Sequence, residues 1–202
     1  MRIIRGTAGG IILKVPKGLD VRPTPDLVKQ ALFNCLGDRV AGTRVLELFA
    51  GTGALGLECL SCGARHVLSV EMSGRHARVI RENLARARLP AAAFELRVDD
   101  AFAMIDRLAA QKVTFDLILA DPPFGEKNVG RRSTSLSQKL LDHELLLDIL
   151  AADGLFILGH TKRDTLTPNP SWREVRVLKH GDSMLRFLEK ASLQSRDVNQ
   201  SP

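Results

Sequence analysis

Short apolar runs alternate along the chain with longer stretches of helical periodicity. The runs lie at about residues 45–49, 67–70, 94–98, 115–120 and 154–158, and helical patterns follow them through about 73–88, to residue 108 and over 136–150. Strands that alternate with helices at this spacing predict a doubly wound, Rossmann-like α/β fold with a mostly parallel sheet. Two later runs, 172–178 and 184–188, predict a closing antiparallel hairpin, which gives seven strands.

The first 40 residues carry a different pattern. Apolar residues at 3–4 and 11–13 flank three glycines and predict a small β-hairpin. Thr24 is expected to cap a helix that begins at Pro25 and ends at Gly37. We therefore divide the chain into an N-terminal extension of hairpin and helix (1–40), a nucleotide-binding unit (41–190) and a flexible polar tail (191–202).

Charge and composition narrow the class of protein. The 202 residues are 45% hydrophobic and 26% charged, which is typical of one globular domain. The net charge of +6 favours an anionic partner, and residues 1–40 hold seven basic against three acidic residues. No apolar run has the length of a membrane span and no signal-peptide pattern occurs, so we expect a cytoplasmic protein without a membrane partner.

We interpret the cysteines, the histidines and one group of arginines as structural residues rather than as parts of a functional site. Cys59 and Cys62 form a C-x-x-C pair inside a predicted helix, where buried small side chains are the better interpretation. The five histidines make no metal-ligand spacing with acids or cysteines, so no metal site is predicted. The arginines of residues 75–88 are interpreted as a solvated helix face.

A glycine motif directly follows the first strand of the nucleotide-binding unit. Gly51, Gly53 and Gly56 form G-x-G-x-x-G between this strand and a helical pattern, the arrangement of a nucleotide-binding turn. Glu71 lies 20 residues beyond Gly51, after the next apolar run, where an acid can hold ribose hydroxyls. The motif alone fits a dinucleotide such as NAD as well as S-adenosylmethionine.

Glu47 distinguishes the two cofactors. It precedes the glycines, where the pyrophosphate of a dinucleotide would be repelled by a carboxylate. S-adenosylmethionine carries an ammonium and a sulfonium instead, and an acid attracts both charges. The methyl donor is therefore the favoured cofactor.

A second motif, Asp121-Pro122-Pro123-Phe124, follows the fourth strand and should open onto the same cleft. Two adjacent prolines stiffen the turn, so an acid, a carbonyl and an aromatic ring are held in a set geometry. This suits methylation of a planar exocyclic amine, whose N–H hydrogens Asp121 and the Pro122 carbonyl would accept. Phe124 would stack on the base. The predicted catalytic residues are Asp121, Pro122 and Phe124.

These motifs occur together with others that carry a family resemblance. The shared stretches are residues 1–6, residues 22–24 before a helix containing 31–34, residues 46–58, residues 121–124, and His180-Gly181-Asp182 in the closing hairpin. Over about residues 1–190 the chain resembles the RsmD-type bacterial small-subunit ribosomal RNA guanine-N2 methyltransferases. It departs from the family pattern at Gln30, Ser73 and Pro25.

The resemblance implies a class I S-adenosylmethionine-dependent methyltransferase fold, that cofactor, and one guanine of 16S rRNA as acceptor. Asp100 should accept the adenine amino group, beside the Ala101 backbone. The full set of expected cofactor-binding residues is Glu47, Phe49, Gly51, Thr52, Gly53, Gly56, Glu71, Met72, Asp100, Ala101 and Asp121. The substrate would be 16S rRNA or the assembling small subunit, and we expect a monomer.

RNA is expected to bind the basic extension and a second basic group after the Asp-Pro-Pro-Phe motif. The residues are Arg2, Arg5, Lys14, Arg22, Thr24, Lys127, Arg131 and Arg132. Two alternatives remain open from the residues alone. One is a methyltransferase of DNA adenine or another planar amine, and the other is an inactive RNA-binding protein on this fold.

Overall fold

The computed structural model describes residues 1–16, 24–123, 128 and 131–191. A seven-stranded sheet has the order β3-β2-β1-β4-β5-β7-β6, with β7 antiparallel to both of its neighbours. The strands are β1 (Arg44–Leu48), β2 (His66–Glu71), β3 (Phe94–Val98), β4 (Phe115–Ala120), β5 (Leu150–Thr161), β6 (Trp172–His180) and β7 (Ser183–Lys190). The predicted mostly parallel sheet with a closing hairpin is confirmed.

Helices cover both faces of the sheet because the central strands are apolar on both sides. They are α1 (Asp26–Leu36), α2 (Ala54–Ser61), α3 (Gly74–Ala87), α4 (Ala101–Ala110), α5 (Leu136–Asp142) and α6 (Glu144–Asp148), with short 3-10 turns at Gly37–Val40 and Ala91–Ala93. Val45 and Val67 face the core that contains α1 and α2, whereas Leu46 and Leu68 face the core that contains α4. None of the described helices is long and apolar enough to cross a membrane.

The single helix predicted over about 136–150 is wrong. Helices α5 and α6 meet at His143, which has an extended backbone, and Leu150 already belongs to β5. The break is held by tertiary contacts: the His143 ring stacks on Phe102 at 5.7 Å, and its Nε2 lies 3.2 Å from Asp106 Oδ1. Strand β5 is also longer than the predicted 154–158, because Leu150 pairs with Phe115 before a bulge.

The start of α1 also differs from the expectation. The helix begins at Asp26, Pro25 occupies the cap position, and no side chain caps the helix. The Thr24 hydroxyl instead donates a 2.6 Å hydrogen bond to Asp121 Oδ2. A hydrogen bond to a carboxylate is stronger than one to a neutral group, which accounts for the preference. The predicted end of the helix at Gly37 is correct.

The hairpin of the N-terminal extension packs on α1 and α2. The predicted hairpin is present as a short antiparallel pairing centred on Arg2 and Ile12. Glu58 Oε1 of α2 accepts the amides of Ile4 and Arg5 at 2.7 and 2.6 Å. Its Oε2 lies 3.2 Å from Lys29 Nζ of α1, and Lys29 is fully buried. Glu58 therefore holds both parts of the extension, the hairpin and α1, against α2.

Candidate active site

A cleft of about 930 Å³ lies at the carboxyl ends of β1, β2 and β4. This is where a parallel sheet binds ligands, because the helix N-termini and the loops after the strands converge there. All of the predicted cofactor-binding residues line the cleft except Gly53 and Gly56. Pro122 and Thr24 line it as well, so the two predicted motifs share one cavity.

Glu47 is placed by strand register beneath the N-terminus of α2. It lies opposite Ser69 of β2, whose hydroxyl donates to Glu47 Oε2 at 2.5 Å. Glu47 Oε1 accepts the amides of Leu55 and Gly56 at 3.2 and 2.9 Å. Helix α2 has no side-chain cap of its own, so Glu47 satisfies two amides that would lack an intrahelical partner.

Burial governs the ionisation of Glu47. The side chain is 2% exposed, and this burial raises the pKa of Glu47 from 4.5 to about 7. Hydrogen bonds from Ser69 and from the two α2 amides lower this pKa, and they offset only part of the rise. Glu47 therefore changes its charge near neutral pH, at the edge of the cleft.

Gly53 and Gly56 shape the turn rather than line the cleft. A Cβ on Gly56 would lie 2.5 Å from Glu47 Oε2 and 2.8 Å from the Ser69 hydroxyl. Gly53 has φ +73°, and a Cβ there would lie 2.9 Å from Ile80. Gly56 allows α2 to approach the strands closely enough for Glu47 to reach its amides, and Gly53 allows the turn to pack on Ile80 of α3.

Glu71 occupies the end of β2 and is held by backbone donors. Its Oε2 accepts the amide of Gly51 at 2.7 Å, and its Oε1 accepts the amide of Ser73 at 2.8 Å. The ring of His76 lies 3.3 Å from Oε1. Each carboxylate oxygen offers about two acceptor directions, so Oε2 retains capacity for a ligand hydroxyl, and Oε1 retains it when the facing His76 nitrogen does not donate.

Apolar side chains form the walls of the cleft beside Glu71. Met72 lines it with 74% of its surface exposed, which is unusual for a large apolar residue. Phe49 has φ +56°, a strained conformation for a bulky residue, and its ring meets Phe102 edge-on at 6.2 Å. Strain of this kind is concentrated at binding sites.

Asp100 begins the next helix at the same edge of the sheet. It is the N-cap of α4, and its Oδ1 accepts the amides of Phe102 and Ala103 at 3.0 and 2.9 Å. Ala101 follows as the first residue of that helix. These two hydrogen bonds fix the orientation of the Asp100 carboxylate at the wall of the cleft.

Asp121 follows β4 on the other side of β1. Besides the bond from Thr24, its carboxyl group packs on β5, where a Cβ added to Gly159 would lie 2.4 Å from Asp121 Oδ1. Pro122 and Pro123 line the cleft next to it. Phe124, the third predicted catalytic residue, lies outside the described residues.

The predicted RNA-binding cations are mostly engaged within the chain. Arg5 Nη1 donates to the carbonyl of Phe33 at 2.8 Å, and Arg131 is exposed. Arg22 and Lys127 lie outside the described residues. Three others pair with acids, namely Arg2 with Asp26 at 3.6 Å, Lys14 with Glu82 at 2.7 Å and Arg132 with Asp142 at 2.6 Å.

Sequence reasoning missed several side chains of the cleft. Ser69, His76, Phe102 and His143 support or line it, and the contact of Thr24 with Asp121 was not expected either. Ser69 carried a usable signal, because a polar residue in the otherwise apolar run 67–70 must find a buried partner. His143 and Thr24 carried none, since their partners are distant in sequence.

The strand order and the cleft define the class of protein. The chain has the fold of the class I S-adenosylmethionine-dependent methyltransferases, and it superimposes on the solved structure titled "Putative methyltransferase yhhF from Escherichia coli" with a TM-score of 0.75. That alignment covers 95% of this chain and 98% of the other, at 29% identity.

Sequence comparison gives the family. The family profile described as "Conserved hypothetical protein 95" matches residues 1–189. The chain is 33% identical over 162 residues to "Putative rRNA methyltransferase YlbH" of Bacillus subtilis, covering 80% of this chain and 83% of that protein. It is 37% identical over 124 residues to "Ribosomal RNA small subunit methyltransferase D" of Escherichia coli K12, covering 61% and 60%. The chain therefore belongs to the family that this profile describes, and the RsmD-type resemblance is confirmed.

Proposed function

We propose that this chain transfers a methyl group from S-adenosylmethionine to the exocyclic N2 of a guanine in 16S rRNA. The observation that carries the proposal is the convergence, in one cleft, of Glu71 at the end of β2 and Asp121 at the end of β4. The names of the Bacillus and Escherichia relatives support ribosomal RNA as the substrate class.

The residues of one half of the cleft fit this cofactor. Bound S-adenosylmethionine supplies an electrophilic methyl group on a sulfonium centre. Glu71, oriented by the Gly51 and Ser73 amides, is suited to hold the two ribose hydroxyls. The exposed Met72 side chain offers an apolar surface for the adenine ring. Asp100 would accept the adenine amino group.

Glu47 contributes to the same half in two ways. It fixes the N-terminus of α2, and its carboxylate gives the cleft a negative potential that favours a cationic ligand. A nearby positive charge stabilises the ionised form of a buried acid. We therefore expect cofactor binding to favour the ionised carboxylate, with release of a proton below about pH 7, the pKa of Glu47 in the free protein.

The other half of the cleft would act on the acceptor. The lone pair of a guanine N2 is delocalised into the ring, so the amine is a poor nucleophile. Asp121 and the Pro122 carbonyl would accept its two N–H hydrogens and favour the tetrahedral geometry that the nitrogen gains during attack. The amine would gain a methyl group and lose one proton, and Asp121 would accept that proton. Stacking by Phe124 stays a prediction.

The basic extension would contact RNA phosphates. Arg2 and Lys14 are more than half exposed, and exposed ion pairs contribute only about 0–1 kcal/mol, so a phosphate can replace the paired acid at little cost. Removal of a guanine from its stack costs a few kcal/mol, which contacts of this kind can offset.

The test is methyl transfer in vitro. The protein is incubated with S-adenosylmethionine labelled at the methyl group and with 16S rRNA or small ribosomal subunits from cells that lack its gene. Nuclease digestion and mass spectrometry should show N2-methylguanosine. Labelled N6-methyladenosine would favour the alternative of an adenine methyltransferase, and RNA binding without transfer would favour the inactive scaffold.

A further inference from the structure

Thr24 and Asp121 are separated by 97 residues in the chain, yet their side chains form a direct hydrogen bond. Thr24 Oγ1 lies 2.6 Å from Asp121 Oδ2, and both residues line the cleft. An ionised carboxylate only accepts hydrogen bonds, so the threonine hydroxyl is the donor. The hydroxyl is therefore directed at the group that would meet the acceptor amine.

The backbone around Thr24 is well supported on its C-terminal side. Pro25 follows with φ −56° and restricts the conformation of the preceding residue, and its carbonyl accepts the amide of Lys29 at 3.0 Å. Lys29 is buried against Glu58 of α2. The donor is thus attached to a helix that is fixed in the core, which gives it a defined position.

Asp121 is confined from a second direction. Gly159 of β5 lies so close that any Cβ would contact Asp121 Oδ1 at 2.4 Å. A carboxyl group placed between a hydroxyl donor and a glycine backbone has few alternative rotamers, and Pro122 restricts the backbone beside it.

We propose that Thr24 is a positioning residue that holds the Asp121 carboxylate in the orientation required to accept the N–H hydrogens of the acceptor amine. This inference rests on the proposed function of Asp121. It also gives the N-terminal extension a part in the reaction, because the residue that orients the reacting carboxylate lies just before α1.

The test compares Thr24→Val, which removes the donor and keeps the shape, with Thr24→Ser, which keeps the donor. Loss of a hydrogen bond to a charged group should lower kcat roughly tenfold to a hundredfold in Thr24→Val, with the KM values for cofactor and RNA within about twofold. Thr24→Ser should restore most of kcat. Thr43→Val is the matched control, because Thr43 also donates a 2.6 Å bond but at the opposite end of β1.

A double variant shows whether Thr24 acts through Asp121. In single-turnover reactions, adding Thr24→Val to Asp121→Asn should change the residual rate by no more than about twofold, because the group to be oriented is already altered. Unchanged kcat in Thr24→Val, or a raised KM for RNA with normal kcat, would overturn the inference while Asp121 keeps its role. Normal turnover in Asp121→Asn would instead overturn the proposed function.

Discussion

The two halves of the cleft are built in different ways. On the cofactor side, Glu47 accepts amides from the first turn of α2, and Glu71 accepts amides from the turns that follow β1 and β2. On the acceptor side, Asp121 is held by a side chain from the N-terminal extension and by close packing on Gly159. The cofactor half is therefore assembled within one βαβ unit, whereas the acceptor half is assembled from segments that are distant in sequence.

We expect this difference to separate effects on cofactor binding from effects on methyl transfer. Changes on the cofactor side should act mainly on the dissociation constant for S-adenosylmethionine, whereas changes on the acceptor side should act mainly on kcat. Variants on each side test that separation, and the largest effect is expected on the acceptor side.

Asp121→Asn should lower kcat by roughly a hundredfold to ten-thousandfold, the range attributed to a positioned proton acceptor. Because the proposed ribose and adenine contacts are made by Glu71, Met72 and Asp100, calorimetry should give a nearly unchanged dissociation constant for S-adenosylmethionine. Asp116→Asn is the matched control, since Asp116 lies on the same strand at its opposite end and accepts the Arg44 amide. Equal losses of cofactor affinity and kcat in Asp121→Asn would show that the two halves of the cleft do not have separate roles.

We expect Glu47 to make the free energy of unfolding of the chain depend on pH. Its pKa is about 7 in the folded chain and near 4.5 when exposed, so the folded state retains a proton that the unfolded state loses between these values. The free energy of unfolding should therefore fall as pH rises from about 4.5 to 7, by on the order of 3 kcal/mol, and level off above it.

Urea denaturation of the ligand-free protein at pH 5 and 7.5 measures this dependence, and Glu47→Gln isolates it from other titrating groups. Glutamine keeps an acceptor for the α2 amides and cannot ionise. If the variant has the same pH dependence as the unaltered protein, Glu47 is not the group responsible.

Glu71→Gln should weaken S-adenosylmethionine binding at least tenfold, about 1.4 kcal/mol, because a neutral amide is a poorer acceptor for hydroxyls. The kcat at saturating cofactor should change far less. Glu95→Gln on β3, which is bonded to Arg97, is the control. Unchanged affinity in Glu71→Gln would remove the proposed ribose contact.

The same contrast explains which parts of the cleft could be predicted from the sequence. The turn around Gly51 and Glu71 was predictable, because its strand, glycines and acid lie within one βαβ unit and obey local rules. The position of Asp121 at the cleft was predictable from strand alternation. The partners of Asp121 were not, because Thr24 and Gly159 reach it only through the packing of α1 and β5. The break at His143 depends likewise on a tertiary contact with α4.

The smallest expected effect concerns RNA. Neutralising Arg2, Arg5 and Lys14 together should flatten the log–log salt dependence of RNA binding by about 0.7 to 0.9 for each phosphate that is no longer neutralised, and leave cofactor affinity intact. Arg78, Arg81 and Arg86 of α3 provide a matched triple variant with the same change in charge. A flattened slope only in the α3 variant would move the RNA surface to that helix.

In the proposed function, Asp121 directs methyl transfer to a guanine N2 of 16S rRNA. The most direct measurement is mass-spectrometric mapping of 16S rRNA from cells that lack the gene, complemented with the unaltered chain or with Asp121→Asn. We expect one N2-methylguanosine to be absent without the gene, restored by the unaltered chain and not restored by Asp121→Asn. An unchanged set of methylated guanines in cells lacking the gene, or restoration by Asp121→Asn, would contradict the account.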